Sequence, residues 1–137
     1  MVEENGYREF DHTADWGIEV WAQDIFDLLG TAARGMFSLL EVQKGEGNRS
    51  AFTFSLDKDQ DNEDLLVEFL NELLFLSEQN QVAFDDFEFD STEKLHHFTA
   101  HSYPIIGQKK EIKAVTYYGL SVDRRGNRLE TKIVFDV

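Results

Sequence analysis

The sequence contains no cysteine. Without that residue the protein can form neither a disulfide framework nor a thiolate zinc site, and a thiol nucleophile is excluded. A long hydrophobic run is also lacking, since no stretch approaches the roughly 18 apolar residues of a membrane span. Residues 1–7 carry no basic-then-apolar signal pattern. We therefore expect a soluble protein of a reducing compartment, the cytoplasm, with no membrane association.

Positive charge is scarce. The chain has 13 lysine and arginine residues against 27 aspartate and glutamate residues, for a net charge of −14, and its basic pairs Lys109-Lys110 and Arg124-Arg125 stand alone. Such a chain repels phosphate backbones at long range, so we expect no direct nucleic-acid binding. The same charge favours a basic protein partner or divalent cations held between carboxylates, although solubility alone would also explain it.

The sequence nevertheless has enough apolar material for a folded core. Its 137 residues suit one domain, residues 1–137, and 13% of them are aromatic. Apolar residues recur at helical spacing over residues 24–41 and 63–78, which predicts two amphipathic helices. Asp24 and the acidic run 61–64 are positioned to cap them. The intervening strand-like stretches predict an α+β fold, a largely antiparallel sheet with both helices packed on it.

Seven stretches have strand character, and several of them alternate between apolar and polar residues. They are residues 7–10, 17–22, 51–56, 82–89, 95–102, 113–122 and 128–137. The last two flank a turn-like segment in which Gly126 can take a positive φ, which predicts a hairpin. Centring that hairpin on Arg125 sets Val122 opposite Arg128 and brings Lys113 beside Asp136. Alternation along the last strand directs Asp136 away from its apolar face.

The loop Asp11-His12-Thr13-Ala14-Asp15 is the strongest candidate site. It gathers two carboxylates, an imidazole and a hydroxyl into five residues between two strand-like segments. Close carboxylates repel each other, so a bound cation or a shared proton would stabilise them. The alternative is an Asx-type turn, in which Asp11 and Asp15 accept hydrogen bonds from nearby backbone N–H groups.

Other candidate sites are weaker. Residues 57–62 followed by Glu68 match the spacing of calcium-loop ligands, but a strand-like stretch precedes them where a calcium hand has a helix, and helix capping explains the same acids. His97 and His101 could share a strand face, with His96 on the other side, yet two imidazoles are a weak metal signal and strand histidines are the alternative. The sequence contains no nucleophile elbow, P-loop or dinucleotide fingerprint, so it does not read as a standard enzyme.

Five segments, in order along nearly the whole chain, resemble the archease family. They are residues 10–18 (Phe-Asp-His-Thr-Ala-Asp-Trp-Gly-Ile), 32–37, 65–74, 113–117 (Lys-Ala-Val-Thr-Tyr) and 134–137 (Val-Phe-Asp-Val). The resemblance implies an archease-like fold and an accessory protein of the RtcB-type tRNA-splicing RNA ligase, which joins RNA ends through its own guanylylated histidine. The resemblance also implies that the protein promotes that guanylylation and the ligase's turnover without being the catalyst.

The resemblance also implies the site. Carried onto this sequence, the essential acids of the family fall on Asp11, Asp15 and Asp136, which would bind a divalent metal ion, and the essential lysine falls on Lys113. We assign Lys113 and His12 to activation of the partner. Oxygen ligands suit calcium, magnesium and manganese alike. Tyr118 stands where family members often have histidine.

Two alternatives remain open. The first is a chaperone or specificity modulator of a tRNA-modifying enzyme such as a tRNA methyltransferase, acting through the acidic surface rather than through a metal. The second is an independent metal-dependent hydrolase, which only the acidic cluster supports.

Overall fold

The computed structural model describes residues 4–12 and 15–137, and within them the chain forms two helices and nine strands. The helices are α1 (Ile25–Leu40) and α2 (Asn62–Asn80). The strands are β1 (Gly6–His12), β2 (Asp15–Ala22), β3 (Val42–Lys44), β4 (Ser50–Asp57), β5 (Val82–Ser91), β6 (Leu95–Gln108), β7 (Ala114–Val115), β8 (Asp123–Arg125) and β9 (Arg128–Asp136). Among these residues, neither helix combines the length and apolar character needed to cross a membrane.

Both predicted helices are confirmed with their caps. The Asp24 carboxylate accepts the N–H of Asp27 at the start of α1, and the Asp61 carboxylate accepts the N–H of Asp64 at the start of α2, each at 2.9 Å. An extended capping residue whose side chain binds a free N–H of the first turn is the usual way to begin a helix. Both helices end without glycine, at Glu41 and Gln81 in the left-handed conformation.

The strands form two antiparallel sheets. The first has the order β1-β2-β9-β7, with β8 also paired to β9, and the second has the order β3-β6-β4, with β5 on the other side of β6. Both helices contact strands of both sheets. The side chains between them are apolar and fully enclosed, and they include Ile18, Leu29, Phe69, Phe98 and Ile133. The predicted α+β class, with a largely antiparallel sheet and two packed helices, is therefore confirmed.

The last hairpin differs from the prediction in one part. Ala114 pairs with Asp136, as the predicted register requires, but β8 is shifted so that Arg125, rather than Val122, lies opposite Arg128. The predicted continuous strand over residues 113–122 is thus wrong, because the chain leaves the sheet after Val115 and returns at Asp123. The shift of β8 follows from the two-residue turn at 126–127, where Gly126 at φ 65° closes a tighter hairpin than the prediction assumed.

Candidate functional site

One end of the first sheet brings together the chain segments that carry the predicted site. In the β1–β2 hairpin, the backbone of Asp11 pairs with Trp16 and that of His12 with Asp15. Trp16 pairs in turn with Phe135 of β9, one residue before Asp136. Because β2 lies between β1 and β9, the two ends of the predicted acidic loop and the end of the last strand share one edge of the fold.

Lys113 and Asp136 meet at the same end. The backbone N–H of Lys113 donates to the carbonyl oxygen of Asp136 at 2.7 Å. The side chains of both residues are exposed, as alternation along β9 requires, since neighbouring Phe135 is buried. The prediction that the final hairpin sets Lys113 beside Asp136 is confirmed. An ammonium and a carboxylate are therefore available to solvent at the edge where the acidic loop begins and ends.

The predicted metal ligands are described in part. The side chains of Asp11, His12 and Asp15 lie outside the described residues, as do Thr13 and Ala14 entirely. The metal-binding set Asp11, Asp15 and Asp136 therefore stays a prediction. Within the described part of the chain, no group of three histidine, aspartate or glutamate side chains is arranged to hold a metal ion.

Lys110 is a neighbour of this site that the sequence did not indicate. Its Nζ lies 4.9 Å from the centre of the Trp16 ring and 3.3 Å from a carboxylate oxygen of Glu41. Its backbone N–H donates to the carbonyl of Leu40 at the end of α1. A lysine near the last carbonyls of a helix and over an aromatic face is favourably placed on both counts. In the sequence Lys110 appeared only as half of an isolated basic pair, so no local signal could have linked it to Trp16.

β7 is tied to α2 by side chains from two of the recognised segments. The amide oxygen of Asn71 accepts the N–H of Val115 at 3.0 Å, and the Tyr117 hydroxyl donates to the Asp64 carboxylate at 2.8 Å. This hydrogen bond to a carboxylate raises the pKa of Tyr117 to about 12. Helix α2 therefore holds β7, the strand that directly follows Lys113, in place. Tyr118 is 70% exposed.

The acidic run at residues 57–62 serves the helix. Asp61 is the N-cap of α2, and the side chain of Gln60 donates to the Asp57 carbonyl at 2.7 Å and to a Glu68 carboxylate oxygen at 3.0 Å. A strand, β4, precedes the run. The capping interpretation is confirmed, and the helix that a calcium hand places before its loop is replaced by this strand.

The three strand histidines each have a separate partner. His97 contacts the Ser55 and Thr92 hydroxyls, His101 lies 2.6 Å from a Glu88 carboxylate oxygen, and His96 contacts the Ser91 hydroxyl. His96 also packs edge-on against Phe26, and burial lowers its pKa. These contacts support the interpretation that they are structural histidines of the second sheet.

Comparison with known proteins agrees with the fold. The family described as the Archease protein family (MTH1598/TM1083) matches residues 7–137. The chain is 28% identical to the archease of Methanosarcina barkeri over 141 aligned residues, which cover 96% of this chain and 95% of the relative. It is 29% identical to the archease of Methanopyrus kandleri, with 96% and 99% covered.

Two solved structures share the architecture. The solution structure of Methanobacterium thermoautotrophicum protein 1598 superposes with a TM-score of 0.69 at 24% identity and covers 96% of this chain and 99% of that one. The crystal structure of an archease from Thermotoga maritima, described as a possible chaperone, has the same TM-score and identity and covers 95% and 96%. At this identity the likeness shows the fold alone.

Proposed function

The chain belongs to the archease family, and we propose that it is an accessory protein that activates an RtcB-type tRNA-splicing RNA ligase. In this proposal it promotes guanylylation of the ligase and its turnover, and the ligase performs the chemistry. The protein itself is not a catalyst. Its partner is a ligase whose active-site region, built to hold RNA, is basic and complementary to a chain of net charge −14.

One observation carries the proposal. Lys113 and Asp136 lie side by side at the end of the first sheet, joined by the 2.7 Å backbone hydrogen bond, and the β1–β2 hairpin reaches the same end through the pairing of Trp16 with Phe135. Residues separated by more than a hundred positions in the sequence thus meet at one exposed edge. Such an edge can enter a partner's cleft, because side chains at a strand end extend beyond the body of the sheet.

A divalent metal ion fits the proposed residues by the chemistry of their donor atoms. Asp11, Asp15 and Asp136 offer carboxylate oxygens, which are the ligands of hard cations such as calcium, magnesium and manganese. When bound, the ion would supply the positive charge that keeps neighbouring carboxylates ionised and would attract phosphate oxygens. His12 and Lys113 would engage the partner. The Lys113 ammonium, anchored through its own backbone, would contribute a cation directed at a phosphate or a carboxylate of the ligase complex.

The test is ligase guanylylation, measured as incorporation of labelled guanylate into the ligase protein. Asp136→Asn keeps the size and the backbone pairing of the residue and removes its charge. Asp59→Asn is the matched control, because Asp59 is an exposed aspartate in the segment between β4 and α2. We expect Asp136→Asn to lose the stimulation and Asp59→Asn to keep it. Equal stimulation by both variants would refute the proposed site.

A second candidate function is that of a chaperone or specificity modulator for a tRNA-modifying enzyme such as a tRNA methyltransferase. The Thermotoga maritima relative is described as a possible chaperone, and this chain exposes large apolar side chains, including Ile106 at 76% and Phe75 at 56%. Such contacts would act through surface rather than metal. Activity that resists chelators but falls with rising salt would favour this function over the ligase proposal.

A further inference from the structure

The outer face of the first sheet carries a groove that the proposed site does not use. Along β9, the alternate residues Leu129, Thr131, Ile133 and Phe135 are buried, and the residues that alternate with them face outward. The groove encloses about 560 Å³. We call it the outer-sheet groove and define it by six lining residues. These are Arg8, Glu19, Trp21, Arg125, Arg128 and Glu130.

Two aromatic rings at this face pack directly against glycine residues. A Cβ on Gly17 would lie 2.7 Å from Cζ of Phe10, and a Cβ on Gly6 would lie 2.8 Å from Cε2 of Trp21. Side-chain carbon atoms do not approach that closely, so only glycine permits both rings to pack in these positions. The two rings therefore lie close to the backbone of the sheet, and we call each of them a platform.

A cation covers each platform. The Lys132 ammonium lies 4.4 Å from the centre of the Phe10 ring, and the Arg128 guanidinium lies 5.7 Å from that of Trp21. Stacking of this kind holds long basic side chains close to the surface with their charge outward. Two cationic groups therefore lie outermost over the aromatic rings of this face, although the protein as a whole is strongly acidic.

The ion pairs of the groove contain more guanidinium groups than carboxylates. Arg8 donates through Nε and a terminal nitrogen to one carboxylate, that of Glu19. Arg125 at 3.2 Å and Arg128 at 2.6 Å share a single carboxylate, that of Glu130. With two guanidinium groups on one carboxylate, a second carboxylate could pair without displacing the first. The Arg8 and Arg125 side chains are 73% and 71% exposed and so are accessible to it.

We propose that the outer-sheet groove docks an acidic segment of a protein partner. Its carboxylates would pair with Arg8, Arg125 and Arg128, and its body would lie against the Arg128 side chain where that is stacked over Trp21. Arginine and tryptophan are the residue types that most often dominate protein–protein interfaces. Single-stranded RNA fits less well, because Glu19, Glu130 and Asp123 are interleaved with the arginines and would repel a phosphate chain at close range.

This surface is distinct from the proposed activation site and does not depend on it. Lys132 precedes Asp136 by four residues along β9, about 13 Å at strand spacing, and Arg128 is twice as far. A partner segment could therefore occupy the groove while the sheet end contacts the ligase. Loss of groove binding would leave the ligase proposal standing, and the reverse also holds.

The experiment titrates the whole protein with an amidated oligo-glutamate peptide at low salt and follows backbone amide and indole NMR signals. An oligo-glutamine peptide controls for backbone contacts, and oligouridylate tests the RNA alternative. Arg125→Gln removes one of the two guanidinium groups on Glu130. Arg49→Gln is the matched control, since Arg49 is an exposed arginine paired with Asp85 on the other sheet. Unfolding temperatures of both variants report whether the fold is retained.

We expect oligo-glutamate to shift the signals of Trp21 and of β8 and β9, and binding to weaken as salt rises. Arg125→Gln should weaken binding about fivefold, the value of one exposed charge pair, and Arg49→Gln should leave it within about twofold. Three results would overturn the proposal. They are no saturable oligo-glutamate binding, equal weakening by both variants, and tighter binding of oligouridylate than of oligo-glutamate in the groove.

Discussion

The backbone N–H of Lys113 donates to the carbonyl oxygen of Asp136 at 2.7 Å, and this hydrogen bond involves no side-chain atom. Either side chain can therefore be changed while the pairing of the two segments is retained. Both side chains are exposed. A substitution at Lys113 or Asp136 can therefore test function without disturbing the fold.

Lys113→Met should reduce activation of the ligase and leave the stability of the fold unchanged. It keeps the length of the side chain and the backbone hydrogen bond, so the free energy of unfolding should change by less than about 0.5 kcal/mol, as at other exposed positions. Stimulation of ligase guanylylation should fall by about tenfold or more, the cost of losing one charge-assisted contact. Lys94→Met is the control, because Lys94 is an exposed lysine in the turn between β5 and β6. A Lys113→Met variant with full stimulation would remove Lys113 from the proposed site.

Gly17→Ala should destabilise the fold severely. The added Cβ would collide with the Ile133 carbonyl oxygen and lie 2.7 Å from the Phe10 ring, and the paired strands β2 and β9 cannot separate without breaking their ladder. We expect a loss of about 3 kcal/mol or failure to fold, measured by denaturant unfolding. Gly107→Ala, on β6, meets only a Gln43 side-chain oxygen at 3.6 Å and should be tolerated. Equal stability of the two variants would contradict the packing described for β2.

Asp61→Ala should cost about 1 kcal/mol of unfolding free energy, because it leaves the N–H of Asp64 without its capping carboxylate. Asp59→Ala, two residues earlier, should change stability by less than about 0.5 kcal/mol. Addition of calcium distinguishes the two interpretations of this run. Under the capping interpretation, calcium gives the Asp61→Ala and wild-type proteins the same small change. A calcium stabilisation that disappears with Asp61→Ala would restore the metal interpretation.

Tyr117 should titrate late, since the hydrogen bond to Asp64 raises its pKa from 10.0 to about 12. A raised pKa means that the folded protein holds this proton more tightly than the unfolded chain does. The associated stability is complete below pH 10 and is lost as the pH rises towards 12. Phenolate absorbance against pH should show a late component that Tyr117→Phe removes and Asp64→Asn moves to lower pH. Tyr118→Phe should leave that component in place.

Much of the fold follows from local patterns in the sequence. Asp24 and Asp61 begin the two helices because their carboxylates bind N–H groups three residues ahead, an interaction that needs no knowledge of the rest of the chain. Alternation along β9 likewise predicts that Asp136 is exposed beside buried Phe135. Centring the last hairpin on Arg125 predicts the meeting of Lys113 with Asp136, and the structure has this meeting although β8 itself is shifted, because the chain leaves the sheet between Val115 and Asp123.

The features that the sequence did not predict depend on distant partners. β3 has only three residues and exists because it pairs with the far end of β6, where Val42 lies opposite Gln108. β6 itself runs six residues beyond the predicted end at Ser102 for the same reason. Lys110 contacts Trp16, although no pattern in the sequence around either residue indicates this contact. Such contacts depend on how helices and strands pack together, and a local sequence pattern contains no information about that packing.

The order of strands has a consequence for how the chain acquires its fold during synthesis. β3, β4 and β5 all pair with β6, which follows them in the sequence, and β2 pairs with β9, the last strand. A ribosome therefore releases both helices and five strands before the shared partner of the second sheet exists. Until then, β4 and β5 present unpaired edges and the aromatic faces that β6 will cover. The nascent chain must remain soluble through that interval, and its excess of carboxylates, present from the first segments onward, provides the mutual repulsion that makes this feasible.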